Sequence, residues 1–300
     1  MNFVPYDFYE SVTLCFFTRS AKACQDLAGT MGKVAATCYE HRSSRHVNIN
    51  NGELRANFLQ SFHRKRYGKS VKVTETHPRF HQGVIIRING RARVPPTQLE
   101  AIRTALTVDS SQDVTLWLSG KDLANELANC IDSVQILVLD NILTQKMEQK
   151  FKNLIEKKTL NVVEFSKFQK FTYKTQNLFF ELLQQDQFFR AQLPRDCFPL
   201  LRELIDEWNK NPLKMTGKSI VCGSTAREFN WINFFRSNRI VECSALQLAA
   251  LNFYFPLVKG VWGKKPLKAL VLEHLEGDAV MYWLCSDLNS PLVLRTTDYE

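Results

Sequence analysis

Val114-Thr-Leu-Trp-Leu118, Val134-Gln-Ile-Leu-Val-Leu139 and Leu160-Asn-Val-Val-Glu-Phe165 are three short apolar runs spread through residues 110–166. Their length and their content of Val, Ile and Leu are those of buried strands. The intervening residues 121–131 and 143–157 carry apolar side chains at helical spacing instead. Strands separated by helical crossovers predict parallel pairing, because a parallel neighbour requires a long connection. The expected fold class is therefore α/β.

The alternation continues toward the C-terminus. Residues 173–189 and 199–209 read as amphipathic helices separated by Leu193-Pro194-Arg-Asp196, with Phe179, Phe180, Leu183, Phe188 and Phe189 as core residues. Ser219-Ile-Val-Cys222 reads as a strand, residues 225–235 as a helix and Arg239-Ile-Val-Glu-Cys243 as a strand. Ser244 is placed to cap a helix over residues 245–255, which Pro256 stops. Leu267-Lys-Ala-Leu-Val-Leu272 is a further strand, and residues 279–285 and 292–297 flank Asp287-Leu-Asn-Ser-Pro291 as a closing hairpin.

Comparable strand positions are separated by 20 residues (Val114 to Val134), 26 (Val134 to Leu160), 20 (Ile220 to Ile240) and 27 (Ile240 to Leu267). Leu137-x-Leu139-x-Asn141 and Leu160-x-x-Val-x-Phe165 are similar to a degenerate leucine-rich repeat, whose period of about 20–29 residues holds one strand and one helix. The 58 residues between Val162 and Ile220 break the rhythm, as if two units had become a helical pair. The expectation is an irregular leucine-rich-repeat-like β/α solenoid with largely parallel strands. An open doubly wound α/β sheet would give the same alternation.

Residues 2–41 show no clear strand alternation. Pro5 and Asp7 suit the first turn of a helix, on which Phe8, Val12 and Cys15 share a face. Ser20 is placed to cap a second helix, along which Ala23, Leu27, Met31, Val34 and Ala35 keep helical spacing to about Tyr39; Gly29 and Gly32 weaken its middle. Ser70-Val-Lys-Val-Thr-Glu75 and Gly83-Val-Ile-Ile-Arg-Ile-Asn-Gly90 then read as strands, the first with one buried and one basic face. Asn89-Gly90 signals a turn, Pro95-Pro96 stops the second strand, and Thr97 caps a helix bearing Leu99, Ile102 and Leu106. The expected organisation is a helical unit over residues 1–44 followed by an α/β domain over residues 45–300.

Composition narrows the setting. The 300 residues are 45% hydrophobic and include 21 Phe, enough for a substantial Phe-rich core. The longest apolar run, residues 245–258, is interrupted by Gln247, Asn252 and Pro256 and is shorter than the roughly 18–20 residues of a membrane span. Met1-Asn-Phe-Val-Pro-Tyr-Asp7 lacks the basic region and apolar stretch of a signal peptide. The eight Cys form no Cys-x-x-Cys and read as small buried apolar residues. There is no Asn-x-Ser/Thr acceptor. Cytoplasm or nucleus is the expected location, with no membrane partner.

Of the net charge of +9, nearly all falls in residues 61–93, where Arg64, Lys65, Arg66, Lys69, Lys72, Arg79, Arg87, Arg91 and Arg93 face a single acid, Glu75. A solvated basic face, an acidic protein partner, and nucleic acid or anionic lipid are the readings open to it. Only Phe62, Tyr67 and Phe80 could stack on bases, so nucleic acid is the weaker reading.

The N-terminal pattern Val4-Pro5-x-x-Phe8-x-x-x-Val12, a helical break, then Leu27-x-x-x-Met31-x-x-Val34 resembles a divergent F-box. The continuation His46-Val-Asn-Ile-Asn-Asn-Gly52-Glu is similar to the expanded F-box-like proteins of nematodes, which place a strand and a polar-Gly turn soon after the helices. The resemblance covers about residues 3–53, and Tyr39-Glu-His-Arg42 stands where a Cys or basic residue near a Trp is usual. It implies that Pro5, Phe8, Val12, Leu27, Met31 and Val34 grip the adaptor of a cullin–RING ubiquitin ligase. The rest of the chain would then hold an unidentified protein substrate.

Sought as enzyme chemistry, the sequence is quiet. Thr216-Gly-Lys-Ser219 echoes the end of a P-loop, but Pro212 stands where the first Gly belongs and a strand follows instead of a helix. There is no Gly-x-Gly-x-x-Gly and no Gly-x-Ser-x-Gly. His77 and His81 are four apart, but Pro78 disfavours the helix that would join them, and His41 and His46 have no ligand-type neighbours. Asp140 lies where α/β enzymes place catalytic groups, although a cap for the next helix is the plainer role. The expectation is a non-enzymatic interaction subunit without metal or cofactor; an α/β enzyme with an unidentified site is the alternative.

Overall fold

A computed structural model describes residues 5, 8–9, 24–41, 43–50, 53–60, 69–71, 81–89, 113–119, 131, 133–140, 143–166, 171–194, 198–222, 231–245, 268–274, 279–285 and 293–298. By contacts the chain divides into Met1–Gln135 and Ile136–Glu300, whereas the sequence reading divided it at 44/45.

In the first unit, α1 (Thr30–His41) begins only after Gly29. The sequence reading carried one helix from Ser20 through both glycines, and two local features stop it. Gly29 has a φ of 79°, a left-handed conformation that turns the chain and that a Cβ would penalise. Gly32 packs so closely on the preceding turn that a methyl there would run into the Leu27 carbonyl. Leu27 therefore lies in that turn, its N–H donating to the Cys24 carbonyl (3.2 Å), and does not share a helix face with Met31. Val34, Ala35 and Cys38 are the helix's buried side.

Five strands follow: β1 (Ser43–Asn50), β2 (Glu53–Gln60), β3 (Lys69–Val71), β4 (His81–Asn89) and β5 (Asp113–Ser119), in the order β3-β2-β1-β4-β5. β1 and β2 are antiparallel with Asn50 opposite Glu53, which leaves Asn51-Gly52, a favoured hairpin dipeptide, between them. β1, β4 and β5 are parallel. Val47, Ile86 and Leu116 align in one row and Ile49, Ile88 and Leu118 in another, each at most 1% exposed. A slip of one residue would turn this whole apolar set outward, so burial holds the register. The rest of the expected strand at 72–75, and the expected helices at 97–106 and 121–130, lie outside the described residues.

In the second unit, β6 (Ile136–Leu139), β7 (Val162–Phe165), β8 (Arg190–Leu193) and β9 (Ser219–Cys222) pair in parallel and in chain order. Between them lie α2 (Gln145–Glu156), α3 (Tyr173–Leu183), then α4 (Phe198–Lys210) and the short α5 (Pro212–Met215). Ile136, Val162, Arg190 and Ser219 stand side by side at intervals of 26, 28 and 29 residues. β8 corrects the expected helical pair. α3 stops at Leu183, the polar Gln184-Gln-Asp-Gln187 turns the chain, and Ala191 and Leu193 bury alternate strand positions before Pro194. Phe188 and Phe189 thus leave the helix; the first is buried and the second 43% exposed.

Local chemistry sets the helices. Thr144 caps α2 by accepting from the Met147 N–H (3.4 Å), and Thr172 caps α3 by accepting from Thr175 N–H (3.1 Å). Asp140, expected as the cap, is exposed at the end of β6, four residues too early. Met147, Phe151, Leu154 and Ile155 on α2, and Leu178, Phe179, Leu182 and Leu183 on α3, are buried at helical spacing. They meet the sheet through Phe165, whose ring lies 5.8 Å from Phe151 and 6.3 Å from Phe179. Leu137, Val163, Ala191 and Ile220 form a buried row on that same side of β6–β9.

α6 (Trp231–Ser237), β10 (Val241–Glu242), β11 (Lys268–Glu273), β12 (Ala279–Cys285) and β13 (Val293–Asp298) complete the unit. Beyond β9 the order is β13-β12-β11-β10, antiparallel throughout. The strand expected from residue 239 shortens to two residues. Arg239 takes a left-handed φ of 59° and the Ile240 N–H reaches back to the Phe235 carbonyl (2.9 Å), a closure that ends α6. Most of the expected helix at 245–255 lies outside the described residues.

Candidate functional site

Side chains alternate across a strand, so the buried rows of β6–β9 define a second face. It carries Ile136, Val162, Arg190 and Ser219 in one row, and Val138, Glu164, Gln192 and Val221 in the next. Val162 is 7% exposed, Arg190 is exposed and the others are half-buried. The face is apolar at β6 and β7 and polar at β8 and β9. Glu164 and Arg190 are its titratable groups among the described residues, in adjacent rows.

Successive strand entries are tied to one another behind this face. The Gln185 side-chain amide donates to the Ile155 carbonyl at the end of α2 (2.8 Å). The Lys218 ammonium donates to the carbonyls of Gln185 (2.7 Å) and Phe188 (2.8 Å). Burial holds the Lys218 pKa below the usual lysine range, with the Asp186 charge opposing that shift. The Thr216-Gly-Lys-Ser219 echo of a P-loop is thereby accounted for: its lysine is 4% exposed and bound to backbone, and Ser219 opens a strand. The carboxylate of Glu148, on α2, accepts from both the Thr172 (3.0 Å) and Thr175 (2.9 Å) hydroxyls and lies 3.6 Å from Lys174, locking α2 to the start of α3.

At the N-terminal residues, Phe8 is 57% and Leu27 52% exposed, and Pro5 is exposed with its carbonyl accepting from the Phe8 N–H (3.1 Å). Met31 is half-buried. Val34 does not join this surface: it is 0% exposed, on the inner side of α1. Val12 lies outside the described residues.

Of the basic segment, Arg64, Lys65, Arg66, Lys72, Arg79, Arg91 and Arg93 lie outside the described residues, and Lys69 is placed only as backbone of β3. Arg87 is placed fully. It lies over the Trp117 ring, 4.8 Å from the centroid. In register, Arg55, Asn48, Arg87 and Trp117 form one row across β2, β1, β4 and β5, on the face opposite Val47, Ile86 and Leu116. His46 sits two residues before Asn48 on β1, on the same face, aligned with Ile85. Burial, then the charge of Arg87, lower its pKa to about 4. The Ser119 hydroxyl donates to the Asn89 side-chain carbonyl at the end of the same face.

Sequence reasoning named Arg87 only as one charge among nine and passed over Trp117, Asn48 and the setting of His46. Strand parity held the signal: Val84, Ile86 and Ile88 place Arg87 outward, and Val114, Leu116 and Leu118 place Trp117 outward. What parity could not supply is that these two positions are neighbours.

Among the described residues no group of three His, Cys, Asp or Glu could hold a metal ion, and no helix is long and apolar enough to cross a membrane. His77 lies outside those residues and His81 is placed only as backbone of β4. Comparison with protein-family models, curated proteins and solved structures gives no match.

Proposed function

We propose that this chain is a non-enzymatic interaction subunit, the substrate receptor of a cullin–RING ubiquitin ligase of the SCF type, working in cytoplasm or nucleus. Pro5, Phe8, Val12 and Leu27 dock on the adaptor, with Met31 at the margin, and the α/β remainder holds the target protein. The chain does no chemistry itself and supplies proximity, holding a target lysine near ubiquitin carried by other subunits.

The observation that carries this reading is the unreversed run β6-β7-β8-β9, with intervals of 26, 28 and 29 residues. Right-handed crossovers that always step in one direction put their helices on one side of a sheet. The other side, with Ile136, Val162, Arg190 and Gln192, then serves as a recognition face, as in an irregular leucine-rich-repeat-like solenoid. An open doubly wound sheet instead reverses its order at a switch point, where its ligand binds. Support for adaptor docking comes from Phe8 and Leu27, large apolar side chains more than half exposed.

Deleting the N-terminal residues is a poor test, because α1 contributes the buried Val34, Ala35 and Cys38. The better test replaces the exposed positions. The full chain is expected to co-purify with the ligase adaptor, and the Phe8→Asp, Leu27→Asp double variant to lose it while keeping its circular dichroism spectrum. A wild-type chain that leaves the adaptor behind ends the ligase reading.

A further inference from the structure

The row Arg55, Asn48, Arg87, Trp117 has the makings of a docking surface of its own. At strand spacings of about 4.8 Å it spans roughly 15 Å, the length of four or five extended residues. Its two cations are unequally occupied. Arg55 is 81% exposed and lies 3.5 Å from Glu53, the acid of the adjoining row. Arg87 is half-buried with its guanidinium carbon over the Trp117 ring, and among the described residues its buried Nε has no hydrogen-bond partner. Among the described residues Arg87 makes no ion pair, and a guanidinium held over an indole still takes a carboxylate at its terminal nitrogens. Asn48 beside it is uncharged, and His46 on the same face carries no negative charge in either protonation state, so neither supplies an anion.

We propose that this face docks an extended acidic segment of a partner protein, with one carboxylate on the Arg87 fork and a neighbouring side chain against Trp117. Arg and Trp are the residue types in which interface energy concentrates. A nucleic acid fits less well, because the Trp117 ring face that a base would stack on carries Arg87. The proposal rests on the chain being an interaction subunit and names the chemistry of its target. It does not depend on adaptor docking.

The test uses the full chain, without adaptor, and a fluorescein-labelled decaglutamate peptide followed by fluorescence anisotropy at physiological salt. Saturable binding is expected, weakened at least tenfold by Arg87→Gln. Asn48→Asp, which sets a carboxylate beside Arg87 without removing a packed side chain, should weaken it as much and covers the case in which Arg87→Gln misfolds. Absence of binding, or an affinity that Asn48→Asp leaves unchanged, overturns the proposal. So does a labelled oligothymidylate bound with the same dependence on Arg87. Because no adaptor is present, these outcomes are separate from failure of the ligase reading.

Discussion

Lys218, at the entry to β9, donates its ammonium to the carbonyl of Gln185, in the turn before β8, at 2.7 Å. Gln185 in turn donates to the Ile155 carbonyl at the end of α2, at 2.8 Å. The entries to β9 and β8 therefore each satisfy a backbone oxygen of the segment before them.

Replacing Lys218 by Met keeps an unbranched apolar stem but leaves the Gln185 and Phe188 carbonyls without this donor. The Gln185 carbonyl keeps the Phe188 N–H (3.2 Å), so the Phe188 carbonyl is the buried acceptor left stranded, and Lys218→Met should lower stability by about 1–3 kcal/mol. Urea unfolding followed by circular dichroism measures it. A variant within about 0.5 kcal/mol of wild type would show the contact to be idle.

Phe165 joins the sheet to two helices at once, with Phe151, Phe171 and Phe179 all within 6.3 Å. Phe165→Ala should cost about 3–5 kcal/mol, because the Phe151 and Phe179 rings are held by their own helices and cannot collapse into the space. Phe189→Ala, at a side chain 43% exposed, should cost far less in the same urea series.

His46 makes the first unit sensitive to acid. In the unfolded chain it takes up a proton near pH 6.5; in the folded chain it does so only near 4. Between those values the unfolded state binds more protons, so stability is full above about pH 6.5 and falls as the pH drops toward 4. Allowing for solvent at a half-buried ring, the loss should reach about 1–2 kcal/mol. His46→Gln should flatten this step in denaturation midpoints taken from pH 7 to pH 4; an equal slope in both proteins would refute the assignment.

Among the described residues two non-glycines hold left-handed backbone at helix ends, Lys158 (φ 53°) after α2 and Arg239 (φ 59°) after α6. Glycine takes this conformation without the steric penalty, at some entropic cost in the unfolded chain. Lys158→Gly and Arg239→Gly should each raise stability by about 0.5–1 kcal/mol, read as a shift in melting temperature. A fall in either would mean that the side chain makes contacts worth more than the strain.

The strands best read from sequence were those with strong local patterns. Residues 114–118, 134–139 and 160–165 became the cores of β5, β6 and β7, and the pattern over 143–157 became α2. β8 escaped because Arg190-Ala-Gln-Leu193 is four residues long, half polar and preceded by phenylalanines that prolong the apparent period of α3. β2 was missed although Leu54, Ala56 and Phe58 alternate with Glu53, Arg55 and Asn57, a strand period present in the sequence. Of the residues read as one docking set, Phe8 and Leu27 are exposed and Val34 is buried, a difference that helical spacing alone does not reveal.

What the amino-acid order determined by itself was therefore the strongly patterned elements and the inward side of their strands, because burial is written in periods of two and of 3.6 within a few residues. Only the tertiary structure decided that Arg87 meets Trp117, that Lys218 turns inward to Gln185, and that β8 stands between β7 and β9. Those contacts join residues about thirty apart in the chain, and their free energy appears only when separate segments close on one another and exclude water between them.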